Sequence, residues 1–103
     1  MDAPYDLHGL AQSLGVYLYQ DWADDYPTMW AAVDDFLVSE RELAQRLSAD
    51  VTRLVSSVAS DEELRAIVLG PLDSWYLAEP GGWSYRNWLL AVSQRVEHAL
   101  PAT

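Results

Sequence analysis

Asp21, Asp24, Asp25, Asp34 and Asp35 crowd the first third of the chain, and their type and spacing could do chemistry. Paired carboxylates hold hard divalent cations or exchange protons as general acid and base. A calcium loop requires Asp-x-Asp-x-Asp-Gly closed by a glutamate, and that pattern is missing. A di-metal bundle site requires glutamate three residues ahead of histidine, and neither His8 nor His98 has one. Each histidine reads as a surface residue, so no cofactor and no metal is expected. What remains to the acids is charge. Asp24, Asp25, Asp34 and Asp35 have no base among them and create a local negative field. That field is either a solvated face that favours helix starts or a docking patch for a basic partner. In the second reading Tyr26 is an aromatic anchor beside the charge.

Other chemistries find little footing. The chain lacks cysteine, which excludes disulfides and thiolate metal sites. No Gly-x-Ser-x-Gly elbow marks a nucleophilic serine. The Pro80-Gly81-Gly82 turn is too short to cradle a phosphate and has no lysine beside it. All six basic residues are arginines, set against sixteen acids, for a net charge of −10. Such a domain repels nucleic acid and anionic lipid and meets a basic protein faster. The first residues, Met1 to Asp6, show no basic and apolar leader pattern, and no apolar run approaches the ~20 residues of a bilayer span. The expected location is cytoplasmic, with no membrane and no direct nucleic-acid partner.

The elements that must position these residues read as helices throughout. The first is expected from about Pro4 to Asp21, with Leu7, Leu10, Leu14, Tyr17 and Leu18 on one face; Gly15 suits close approach of a neighbouring helix. Pro27 fits the first position of a second helix, which runs to about Val38 with Met29, Trp30, Val33, Phe36 and Leu37 inward. A capping box, Ser39 with Glu42, opens a third helix with Leu43, Leu47, Val51, Leu54 and Val58 inward. A second box, Ser60 with Glu63, opens a fourth, which Gly70-Pro71 ends. Leu72 to Trp83 reads as irregular. Ser84 caps a last helix to about Leu100, with Tyr85, Trp88, Leu89, Val92 and Val96 inward and Leu90 turned out as an exposed anchor. The fold class is all-α: a compact single-domain bundle of about five helices over residues 1–103, rich enough in tryptophan and tyrosine to fold without a staple. On this reading Asp21 shares the face of Leu10, Leu14 and Leu18, where it would cap the next turn or accept from a tryptophan N–H or an arginine.

One stretch resembles a known family. Leu14-Gly15-Val16-Tyr17-Leu18-Tyr19-Gln20-Asp21-Trp22, an acidic turn, and a helix carrying Trp30, Val33 and Phe36 are similar to the opening of contact-dependent growth inhibition immunity proteins. Those typically begin with a Gly-x-Tyr-Phe-His-Gln-Asp-Trp string. The Trp75-Tyr76 pair and Gly82-Trp83-Ser84-Tyr85-Arg86-Asn87-Trp88-Leu89 extend the resemblance over about residues 10–100, and Tyr19 replaces the usual histidine. The resemblance implies a small helical protein that binds the C-terminal domain of a cognate toxin, often a nuclease, and blocks it without catalysis. Tyr17, Gln20, Asp21 and Trp22 would then maintain the fold. Partner contacts are expected at Asp24, Asp25, Tyr26, Asp34 and Asp35, with Glu79 and Trp83 as a second edge and Leu90 as the outlying anchor. Two rival readings stay open at this level: an acidic helical regulator or DNA mimic bound to a basic protein, and an aspartate-based metal enzyme.

Overall fold

A computed structural model describes residues 7–99 of the chain. The expected helical residues Pro4 to Asp6 and Leu100 lie outside that range. Among the described residues the secondary structure is entirely helical, with no strand.

The first helix, α1 (residues 8–17), starts as a regular turn and widens into a π-helical stretch, Ala11–Gly15. Ser13 lies inside that stretch and donates its hydroxyl to the carbonyls of Gly9 and Leu10, both at 3.1 Å. A serine bonded back into its own helix competes with the regular ladder, as expected of a local widening. Leu10, Leu14 and Leu18 are buried as expected. The helix nevertheless stops four residues short of Asp21. The Leu18 carbonyl is taken by the N–H of Trp75 at 2.8 Å, and the chain then turns through Trp22 N–H to Tyr19 O. One further turn, α2 (Trp22–Asp25), follows.

Thr28, not Pro27, starts α3 (Met29–Ser39): its hydroxyl accepts from the Ala31 N–H at 3.1 Å, a role proline lacks the side chain for. The expected capping box at Ser39 does not form. Ser39 ends α3 and donates back one turn to Asp35 at 3.2 Å, and Glu40 holds the cap position of α4 (Arg41–Ser57) without a side-chain bond. The box at Ser60 does form its first half, accepting from Glu63 N–H at 3.2 Å at the start of α5 (Asp61–Leu69). Gly70 and Pro71 end α5 as expected.

Residues 72–78 then form an irregular strap between α5 and the next turn, with Asp73 in the left-handed region at φ +55°. Leu72, Ser74, Tyr76 and Ala78 are buried and Asp73, Trp75 and Leu77 are exposed, a period of two fixed by backbone pinning. Ser74 N–H donates to Val68 O and Trp75 N–H to Leu18 O. The close neighbour anticipated for Gly15 is this strap and not a helix: a Cβ on Gly15 would lie 2.2 Å from the Leu72 carbonyl oxygen. A 3-10 turn, Glu79–Gly81, leads through Gly82 (φ +84°) to α6 (Tyr85–Ala99). Ser84 caps α6 by accepting from Asn87 N–H at 3.1 Å.

The core sits where α6 crosses α4. Trp88, Tyr85, Leu89, Val92 and Val96 of α6 meet Leu47, Val51 and Leu54 of α4, all buried. Asp61 accepts from the N–H groups of Tyr85 and Arg86 at 3.1 and 2.8 Å, tying the starts of α5 and α6 together. Arg86 in turn donates to the carbonyls of Val55 and Val58 at 2.7 and 2.6 Å, closing the end of α4. The Cα radius of gyration is 12.8 Å, which matches the ~13 Å of a folded chain near 100 residues.

Candidate interaction surface

Asp24 and Asp25 stand on α2 and Asp34 and Asp35 on α3, and each except Asp24 has a hydrogen-bond partner that explains its pose. Tyr19 donates its hydroxyl to the Asp25 carboxylate, and Tyr26 donates to Asp35. These hydrogen bonds, made to an anion, hold both phenols protonated far above the ordinary tyrosine range. Tyr19 is pushed up to about 12 by the bond to Asp25, helped by burial and by the charges of Asp25, Asp21 and Asp24. Tyr26 is also pushed up to about 12, chiefly by its bond to Asp35. Asp25 and Asp35 are therefore oriented carboxylates on a tyrosine-lined surface, with Asp24 exposed beside them.

Asp34 differs. Arg95 of α6 grips it in a two-point fork, Nε to Oδ1 and Nη2 to Oδ2, both at 2.8 Å. The guanidinium holds the Asp34 carboxyl below its usual range. The same guanidinium lies 5.0 Å over the ring of Trp30, which meets Trp83 edge-on at 6.4 Å. The absence of a base in the local sequence is thus compensated in space at Asp34, and the free negative field comes from Asp24, Asp25 and Asp35. Trp83 joins this edge through Trp30.

Glu79, in the same loop as Trp83, pairs with Arg65 of α5 at 3.0 Å and accepts from the Tyr85 hydroxyl at 3.5 Å. Leu90 is 38% exposed on α6. Helical spacing puts it on the flank of Arg86 and Gln94, away from the Arg95–Asp34 pair. Glu79 is thus paired with a base of α5, and Leu90 stands on the outer flank of α6.

The shared string divides in two. Tyr17 is half-buried with its ring edge-on to Phe36 at 5.5 Å, and Trp22 is half-buried with its ring edge-on to Tyr76 at 5.8 Å. Gln20 and Asp21 are exposed. Asp21 is off the apolar face because α1 has already ended, and its side chain makes no cap. Its backbone carbonyl serves instead, accepting from Asp24 N–H at 2.9 Å.

The sequence did not point to Arg95, whose partner is 61 positions away, nor to the exposed face of the strap. Trp75 and Leu77 are each about half exposed, at 50% and 51%. No alternation in the sequence marked them, because the outward Trp75 and Leu77 are apolar while the inward Ser74 is polar. Among the described residues no three His, Cys, Asp or Glu side chains could hold a metal ion, and no helix is long and apolar enough to cross a membrane.

Compared with known proteins, the chain matches the sequence model of the CdiI immunity protein family over residues 6–96. No curated protein matches it, and no solved structure does.

Proposed function

Because the chain belongs to the CdiI immunity protein family, we propose that it binds the C-terminal toxin domain of its own contact-dependent growth inhibition system in the cytoplasm. In this reading it neutralises that domain through the acidic surface of α2 and α3. The observation that carries the reading is the pair of oriented carboxylates, Asp25 and Asp35, each fixed by a tyrosine hydroxyl beside the exposed Asp24. Fixing the acids before binding lowers the entropy lost on contact. Tyrosine supplies the amphipathic contact area on which interfaces concentrate their energy.

An acidic inhibitor suits a toxin whose active site is basic, as a nuclease site must be to hold phosphates. Occupying or flanking such a site stops the toxin without any bond being made or broken, so the protein acts by binding and not as an enzyme. Asp34 contributes less charge than its neighbours because Arg95 already neutralises it.

The test is association with the purified toxin domain at several salt concentrations. Changing Asp24, Asp25 and Asp35 together to Asn should lower the association rate about tenfold at low salt, with the difference shrinking as salt rises. A triple variant that associates at the wild-type rate at low salt would remove the acidic surface from the account.

A further inference from the structure

Residues 72–78 carry a second surface that the acidic one does not use. Leu69, Ser74, Trp75 and Leu77 line an open groove of about 290 Å³. Trp75 and Leu77 stand as its apolar rim, each about half exposed. Ser74 lies at its floor, 2% exposed. A tryptophan and a leucine side by side on the surface form an apolar patch of the kind that marks a contact site.

The strap is also rigid where it matters. Its backbone is pinned on one side to Val68 and on the other to Leu18. Tyr76, between the two rim residues, lies against Trp88 at 4.9 Å and Trp22 at 5.8 Å. A partner therefore meets side chains that are already positioned.

We infer that this groove is the apolar anchor of the interface, receiving from the toxin domain an apolar side chain flanked by Lys or Arg. The inference rests on the proposed immunity function and adds the contact that sets how long the complex lasts. Charge selects the occupant. The strap carries the exposed Asp73 beside the groove, and it is bonded to Leu18, directly before Tyr19 with its surrounding Asp21, Asp24 and Asp25. The base one helical turn from Leu69, Arg65, is already held by Glu79 at 3.0 Å. An uncharged or acidic segment gains nothing from these flanks, whereas a basic one is drawn in and held.

The experiment uses the full chain and the C-terminal domain encoded by the adjacent reading frame, with binding followed in real time. Trp75→Ala with Leu77→Ala should weaken binding at least about 30-fold, almost entirely through faster dissociation and equally at low and high salt, which is what loss of an anchor worth about 2 kcal/mol produces. Leu77→Asp, which keeps the tryptophan, should give a comparable loss. Wild-type binding with both variants within about threefold of it would overturn the groove and leave the immunity reading standing. A wild-type chain that does not bind the domain would sink both. A self-association of the wild-type chain that the double variant abolishes would assign the groove to a second copy and overturn the inference.

Discussion

Replacing Gly15 by alanine tests the junction that holds the strap in place. Gly15 lies buried at the end of the π-helical stretch of α1, with the Leu72 carbonyl against it. The added Cβ would sit 2.2 Å from the Leu72 oxygen, 3.4 Å from its carbon and 3.7 Å from the Asp73 oxygen. Those atoms belong to the backbone of a pinned segment, so no side chain can swing aside. Overpacking of this kind costs about 1 to 3 kcal/mol, and relief by backing the strap away stretches the bond from Trp75 N–H to Leu18 O, worth about 1 kcal/mol. Against this, alanine in a helix regains up to about 1 kcal/mol. With rigid backbone as the obstacle, the upper end applies, for a net loss of about 3 kcal/mol. In a domain of this size that lowers the melting temperature by about 12 °C or more. Thermal unfolding followed by circular dichroism at 222 nm reads this directly. Gly82→Ala is the control, since Gly82 has nothing within 4 Å and only its φ of +84° to lose, which costs about 1 kcal/mol. A Gly15→Ala protein that melts within about 3 °C of wild type, or above it, would refute the close-packed junction.

Two further outcomes follow from the same contacts. Arg86→Ala removes both donors to the Val55 and Val58 carbonyls and should destabilise by about 2 kcal/mol in urea unfolding; Lys should not restore it, because one ammonium cannot reproduce the two-pronged fork, and a loss under about 0.5 kcal/mol would contradict the closure of α4. Tyr26, followed by its ring resonance against pH, should titrate near 12, and Asp35→Ala should bring it back toward the ordinary tyrosine value. Since the folded value is raised, the stabilisation from this pair is complete below the unfolded value of about 10 and fades as pH rises toward 12. A Tyr26 titrating near 10 in the wild-type chain would dissolve the pair.

Sequence periodicity was enough for the helices whose apolar stripes have a single partner face. In α6, Tyr85, Trp88, Leu89, Val92 and Val96 are all buried, and the Ser60 and Ser84 caps are in place. It failed where a tertiary contact overrides local preference. Leu18 keeps the helical spacing of its predecessors, yet its carbonyl is committed to the strap, so α1 ends and Asp21 faces solvent. Ser39 has a capping sequence, but Asp35 one turn back takes its hydroxyl. The acidic surface was visible as a cluster of like charges, because exposure and sign need no partner. Arg95 gripping Asp34 was not, since two residues on separate helices share no local signal. The strap was hidden for a different reason: its period of two is imposed by pinning on both sides, and its inward serine makes the pattern look like a loop.

The most direct measurement is growth of cells that express the C-terminal domain of the adjacent reading frame, with and without this chain. The account predicts that cells expressing the domain alone stop growing, that co-expression restores growth, and that the two proteins purify together as a complex. A domain that arrests growth regardless of this chain, with no complex recovered, would contradict the claim that this family member protects by binding its toxin.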